Sequence, residues 1–374
     1  MRILLLGDYS NVHATLAEGL RALGHDVVVA SDGDGWKNYP RDIDLRRYGL
    51  DAFQTSKFLL RLWWNFRKFK GFDVVQIINP VFLQLKAEKI LPYYKYLKRH
   101  NKKVFMAAFG MDHYWVKAGL DCKTFRYSDF NIGAEQRRGG ENDVFIADWL
   151  EGPKGRLNEY IAKDCDGIPA GLYEYWASYK AHCPEAVEKM QYIPFPIKLE
   201  ESNNQKMGDK KQKSDKVRFF IGIQKARSVY KGTDIMLRAL ERVEQRYPDL
   251  VDIRRAESVP FAEYKQMMNS SDVILDQLYS YTPAMNALQA MSQGLIVVGG
   301  AEPEYYELQE KGVSGLRPII NVEPNEASVF EKLCWLVEHS KEIPRLKRES
   351  REFVKIYHDH VKVARQYLDF WDKK

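Results

Sequence analysis

Short apolar runs alternate with amphipathic stretches along the chain, and the alternation occurs in two series. The first opens on "RILLLGDYS", a strand, then "NVHATLAEGLRALGHD", a helix with Leu16, Leu20 and Leu23 on one face and Gly24 closing it. "VVVAS", "FDVVQIIN" and "KKVFMAAF" read as the strands that follow. Two prolines in "YIPFPI", Tyr192 to Ile197, forbid a regular element and mark a connector. The second series starts with the strand "VRFFIGI". Its helix, "KGTDIMLRALERVEQRYPD", puts Met236, Leu240, Val243 and Tyr247 on one face, and strands at "DVILD" and "LIVVG" come next. In the closing "REFVKIYHDHVKVARQYLDFWDKK", Phe353, Tyr357, Val361, Ala364 and Tyr367 form a stripe that predicts one long helix.

Strands alternating with helices of this length pair in parallel, so the pattern predicts an α/β chain of two Rossmann-like, doubly wound domains in tandem. The expected divisions are 1–197, a polar lysine-rich surface loop at 198–216, a second domain at 217–350, and a terminal helix at 351–374 that packs back on the first domain. Open α/β sheets bind ligands outside the carboxyl ends of their strands, which predicts a cleft where the two domains face each other.

Composition narrows the class. The 374 residues suit two domains, and 45% hydrophobic with 29% charged residues is the balance of a globular protein. No apolar run approaches the roughly 20 residues of a membrane-spanning helix. Asp8 ends the first apolar run too early for a signal peptide. The four cysteines, Cys122, Cys165, Cys183 and Cys334, are scattered without a CxxC pair, which fits a reducing, cytoplasmic setting. The net charge of +6 is mild and no stretch reads as a nucleic-acid-binding motif, so no nucleic-acid partner is expected. The excess is compatible with an anionic ligand or an anionic membrane surface.

Chemistry concentrates in the second series. Within "LDQLYSYTPAMNALQAMSQGLIVVGG", Leu275 to Gly300, a strand runs into Ser280, Tyr281 and Thr282. Thr282 is a good N-cap and Pro283 is preorganised for the first helical position. The N–H groups of that first turn, with the helix dipole behind them, form an anion site ringed by hydroxyls. A second cluster, "KARSVYKG", sets Lys225, Arg227 and Lys231 between a strand end and a helix start, where positive charge opposes the dipole unless an anion arrives. Both clusters belong on one sheet edge, which points to a bound diphosphate. A capped helix and solvated loop charges are the plainer alternatives. Two metal-like patterns are discounted: Asp32 and Asp34 lie in a glycine-rich turn, and His358 and His360 splay at their spacing on a helix, so no metal is expected. Finally, "LRLWWNFRKFKGF", Leu60 to Phe72, mixes Trp63, Trp64, Phe66 and Phe69 with Arg61, Arg67, Lys68 and Lys70. It reads either as a helix packing its aromatics on the sheet or as an interfacial helix on an anionic leaflet.

Together these segments resemble the donor domain of the GT-B glycosyltransferases, in particular the large retaining family 4. "KARSVYKGTDIMLRAL" is similar to that family's Arg…Lys-Gly element, with Lys225 at the usual arginine, Lys231 at the lysine and Arg227 close by. "AMSQGLIVVGGAEPEYYE" is similar to its "EAMA-G-PVV…PE" block, which includes Glu304. The resemblance is strongest from about Val217 to Tyr306 and extends to "ALGHDVVVAS", "DGIPAGLYEY" and the closing helix. The family's paired glutamates fall on Tyr281 and Gln289, and both depart; Gln289 keeps an acceptor oxygen for ribose hydroxyls. In the first domain "AAFGMDHYW" resembles the family's "HG-D" loop, so Asp112 or His113 either orients an acceptor or is a capping aspartate with an incidental histidine.

The resemblance implies a GT-B fold, with Lys231 and either Lys225 or Arg227 stabilising a departing nucleotide diphosphate. It places Gly222, Ser280, Tyr281, Thr282, Gln289 and Glu304 around the donor, and Asp8 and Ser10 with His113 on the acceptor side. The implied reaction is a retaining, metal-independent transfer from a UDP- or GDP-linked sugar, with no cofactor. The acceptor is a glycan or a lipid-linked molecule of bacterial surface polysaccharide synthesis, reached in the cytoplasm or at the inner face of its membrane. The loss of both glutamates keeps an inactive sugar-nucleotide binder open beside it, and a GT-B nucleotide-sugar epimerase is the other alternative.

Overall fold

The computed structural model describes residues 1–199, 216–224, 227–257, 259–310 and 315–374, and these form two units. The first comprises Met1–Arg126, Phe130–Pro196 and His360–Lys374; the second comprises Tyr127–Asp129 and Ile197–Asp359. Lys225 and most of the expected 198–216 loop lie outside the described residues.

In the first unit, β1 (Arg2–Leu6), β2 (Asp26–Ser31), β3 (Ile43–Asp44), β4 (Val74–Ile77) and β5 (Lys103–Met106) form a sheet of order β3-β2-β1-β4-β5, parallel throughout. The central strands read as unbroken apolar runs because neither face meets water: Ile3 to Leu6 are fully buried. Single parallel bridges, Phe105 to Gly167 and Ala108 to Ala170, continue the pairing from β5 to β6 (Ile168–Ala170), which pairs with β7 (Met190–Tyr192). The helices that matter below are α1 (Val12–Ala22), α2 (Ala52–Phe66) and α3 (His113–Leu120).

The second unit repeats the plan. Strands β8 (Val217–Ile223), β9 (Val251–Glu257), β10 (Val273–Leu275), β11 (Ile296–Gly299) and β12 (Ile320–Asn321) run parallel in the order β9-β8-β10-β11-β12. Its helices include α4 (Ser228–Lys231), α5 (Thr233–Arg246), α6 (Phe261–Asn269), α7 (Met285–Ser292), α8 (Pro303–Glu310) and α9 (Ile343–Tyr357). Alternate residues of β8, Val217, Phe219 and Ile221, meet Met236, Leu240 and Val243 of α5 in one apolar core, as the helical spacing predicts.

The closing segment is two helices where one was expected. After α9 the chain breaks at His358, and α10 (His360–Lys373) begins anew. The cause is the connector: Ile197 N donates to His358 O at 2.6 Å, and Ile197 bridges Asp359 in parallel. That carbonyl is therefore taken from the helical ladder. The break falls between the units, so α9 belongs to the second and α10 to the first. Among the described residues, no helix is long and apolar enough to cross a membrane.

Candidate functional site

Between α4 and α5 the chain turns within a single residue. That corner is Gly232, at φ +72, where a Cβ would lie 2.7 Å from the Leu278 Cβ. Glycine alone reconciles the left-handed backbone with that approach. The contact is sealed by a hydrogen bond of 3.0 Å from Leu278 N to Lys231 O. Thus the Lys-Gly corner and the loop leaving β10 are joined at the carboxyl edge of two adjacent strands.

Asp276, the first residue beyond β10, feels the charge of Lys231. Burial pushes its carboxyl above the usual range, while a hydrogen bond from Asn286 and the positive charge of Lys231 oppose that shift. Asn286 Nδ2 donates to Asp276 Oδ1 at 2.8 Å, and Tyr264 OH donates to Asn286 Oδ1 at 3.1 Å. Asn286 is the second residue of α7, whose N-cap, Ala284, is extended and supplies no side-chain acceptor. The first turn of α7 thus has no cap from its N-cap side chain, its Asn286 holds Asp276, and the helix dipole lies behind it. Gly222 makes room for a side chain: a Cβ there would come within 2.8 Å of the Tyr264 ring.

The hydroxyl cluster is arranged differently from the sequence expectation. Helix α7 starts at Met285, so Thr282 is no N-cap and Pro283 no first helical residue. The loop is held back by its neighbour. Glu302 N donates to Tyr281 O at 3.1 Å, and Gly300 lies so close that a Cβ there would meet Ser280 O at 1.5 Å. Ser280, Tyr281 and Thr282 are all buried as a result, which leaves little hydroxyl surface to a ligand. The Tyr281 ring packs 4.9 Å from Tyr127, whose hydroxyl donates to the buried Glu302 carboxylate; Asn321 Nδ2 donates to the same carboxylate oxygen at 3.0 Å. Gln289 is half-buried and its amide reaches Ser292 Oγ at 3.3 Å. Arg227 lies 4.9 Å over the Tyr230 ring, and Tyr230 OH donates to Asp129 at 2.7 Å. Glu304 is half-buried in the first turn of α8.

In the first unit the predicted residues turn inward. Asp112 is the N-cap of α3 and fully buried, accepting from Trp115 N at 2.8 Å and Tyr179 OH at 2.9 Å. Burial pushes its carboxyl up to about 6 against those two hydrogen bonds. Both oxygens are engaged, one by the start of α3 and the other by Tyr179, which is the geometry of the capping alternative. His113 N donates to Asn158 Oδ1, and its Nδ1 lies 2.9 Å from Trp149 O. Asp8 is buried beneath the start of α1, accepting from His13 N at 3.0 Å and Ala14 N at 3.3 Å. Burial raises it to about 7, with the negative charges of Asp34 and Asp32 adding to the rise. Ser10, at φ +52, donates its N–H to Asp34, which also receives Lys37 Nζ at 2.6 Å. These groups serve the fold at the ends of β1 and β2.

Four residues at the second site escaped the sequence reading: Asp276, Asn286, Tyr264 and Glu302. Asp276 carried a usable signal, a carboxylate ending an apolar strand. Asn286 and Tyr264 had none, since their partners are distant in sequence. Glu302 was overlooked beside Glu304, and burial separates the two.

No family model matches the chain, and no curated protein matches it either. Solved structures do. HepE of Anabaena, crystallised with UDP and glucose, superposes with a TM-score of 0.60 at 11% identity, covering 100% of both chains. Sucrose-phosphate synthase from Thermosynechococcus elongatus gives 0.59 at 12%, over 100% of this chain and 99% of that one. A UDP-GlcNAc 2-epimerase from Neisseria meningitidis, bound to UDP-GlcNAc, gives 0.55 at 12%, over 100% of both. At such identities the likeness speaks for architecture: the chain has the GT-B fold, an α/β structure built from two Rossmann-like domains.

Proposed function

We propose that the second unit binds a nucleotide diphosphate sugar and that the protein is a glycosyltransferase of the retaining, metal-independent kind, acting on a glycan or lipid-linked acceptor. The observation that supports this is the junction of Lys231-Gly232 with Leu278, which brings the backbone of the Lys-Gly corner to the loop that leads into α7 at the same sheet edge. Departure of a nucleotide diphosphate builds negative charge, and a fixed cation with helix N–H groups lowers the cost of that charge. Lys231 is the principal group; Arg227 is the second cation within the same loop. Neither Tyr281 nor Gln289 has to move a proton in such a transfer, so their departure from glutamate is compatible with activity. HepE and the epimerase, with UDP and UDP-GlcNAc in their structures, make a uridine diphosphate donor the first to try.

The test is binding before turnover. UDP or GDP at millimolar concentration should raise Tm by mass action, and EDTA should leave the shift unchanged. If no nucleotide diphosphate moves Tm, the donor-site reading fails. Binding without slow hydrolysis or transfer of any nucleotide sugar would instead favour an inactive binder, and interconversion of two nucleotide sugars would favour an epimerase.

A further inference from the structure

Helix α2 carries two apolar stripes. One, Phe58, Leu62 and Phe66 at i, i+4 and i+8, is buried, with the Phe66 ring 4.7 Å from Tyr93 and 5.1 Å from Phe69. The other points away from it. Phe53, Leu60 and Trp64, at i, i+7 and i+11, are 64%, 66% and 58% exposed, and Trp63 beside them is 52% exposed. A helix that packs its aromatics on the sheet would hide both tryptophans. This one hides neither, so the packing alternative fails for Trp63 and Trp64, whereas Phe66 and Phe69 are buried, with Phe66 against Tyr93 and Tyr96.

Cations border the exposed stripe. Lys57 lies 4.2 Å over Phe53, Arg67 4.8 Å over Trp63 and Lys68 5.9 Å over Trp64. No acidic residue occurs from Ala52 to Phe72. Among the described residues, no carboxylate pairs with Lys57, Arg67, Lys68 or Lys70. Arg61 is the exception, turned towards Asp44 at 3.8 Å. A cavity of about 240 Å³ lined by Tyr48, Gln54, Lys57, Phe58 and Arg61 opens on the flank of the helix.

We propose that this face of α2 docks the protein on the surface of an anionic lipid bilayer. Trp63, Trp64 and Leu60 enter the boundary between headgroups and acyl chains, while Lys57, Arg67, Lys68 and Lys70 meet the lipid phosphates. Tryptophan suits that depth because one end of its ring system is apolar and the other donates a hydrogen bond. Anionic leaflets attract each nearby cation, and the attraction fades within a Debye length. Charge also decides against a second copy of the chain as the occupant. A two-fold contact through this face would bring the same four cations against their counterparts with no carboxylate between them.

The proposal is independent of the donor site, and its test uses no sugar transfer. The full chain is sedimented with vesicles of phosphatidylglycerol and phosphatidylethanolamine, and separately with phosphatidylcholine alone. It should pellet with the first at low salt, release as salt rises, and stay in solution with the second. Trp63→Ala/Trp64→Ala should weaken the association by about tenfold or more, since each ring that leaves water contributes more than a tenfold factor when fully buried. Lys57→Glu/Lys68→Glu should abolish it, and both variants should keep the parental Tm because all four side chains face solvent. The proposal is overturned if the parent stays in the supernatant at low salt, or if both variants pellet like the parent. A concentration-dependent dimer that Trp63→Ala/Trp64→Ala dissolves would overturn it too, by assigning the face to another copy.

Discussion

Replacing Lys231 by Ala separates the chemistry of the proposed site from its architecture. The corner is held by backbone and glycine contacts: the Leu278 N–H meets the carbonyl of residue 231, and Gly232 packs on Leu278. Neither needs the lysine side chain. What the substitution removes is one positive charge that acts on Asp276 in the free protein and, at the proposed donor site, would meet the diphosphate. In the free protein two effects oppose each other. Loss of a cation at the start of α5 relieves an unfavourable dipole interaction of about 0.3–1 kcal/mol. It also strips Asp276 of a favourable neighbour, leaving its half-buried carboxyl with the Asn286 hydrogen bond. Tm should therefore move little. In the reaction the terms add. One unit of charge developing about 4–6 Å away, at an effective dielectric of about 20, interacts with Lys231 by about 3–4 kcal/mol. That agrees with the roughly 10²–10³ in rate lost when a single preorganised donor is deleted. Because the charge grows as the bond breaks, kcat should fall by that factor while nucleotide diphosphate affinity falls less. Calorimetric titration gives the affinity, and turnover of the bound nucleotide sugar gives the rate. A Lys231→Ala protein with parental Tm and parental kcat would refute the reasoning.

Two further outcomes follow from the buried groups. Asp8 is raised to about 7 by burial, whereas burial lowers His13 to about 4 against its hydrogen bond to Gly7 O. Between those values the folded chain holds a proton on Asp8 that the unfolded chain has released, and lacks one on His13 that the unfolded chain carries; the two dependences cancel. Asp8→Asn should leave stability rising with pH from about 4 to 6.5, and His13→Gln should leave it falling, each by about 1.4 kcal/mol per pH unit. Urea titrations at several pH values would read the slopes, and slopes of the same sign in both variants would contradict the assignment. Gly300→Ala sets a methyl group 1.5 Å from the Ser280 carbonyl oxygen, a backbone atom that cannot yield cheaply, so at least about 3 kcal/mol should be lost. A parental Tm for that variant would show that the two loops are not pressed together.

The sequence reveals those parts of the fold that rest on local pattern. All seven strands read from apolar runs are present, because buried parallel strands need no alternation to be recognised. The edge strand β9 went unread: "VDIRRAE" keeps Arg254 and Arg255 where a central strand would have apolar residues. The break at His358 was also hidden, since a hydrogen bond from Ile197 lies far outside any helical window. At the candidate site the corner Lys231-Gly232 was readable because a glycine just before a helix start marks a left-handed backbone, here φ +72. The partners that fix them, Leu278, Asp276 and Asn286, depend on which strands become neighbours. Thr282 misled for the opposite reason. Its local capping logic was sound, but the tie from Glu302 to Tyr281 delays the helix by two residues.

The division of the closing helices also bears on the order in which the chain acquires its structure during synthesis. The five strands of the first sheet have all been made once residue 106 is reached, yet Trp371 and Tyr367 are fully buried in that unit. Trp371 donates to Gln76 across 295 residues and accepts from Lys103 across 268. Gly19 of α1 is so close to α10 that a Cβ would sit 2.2 Å from the His360 carbonyl oxygen. The first unit thus emerges from the ribosome with one side of its core open, and it stays open while the whole second unit is translated. The later part of the chain can complete its own core first, and the earlier part closes last.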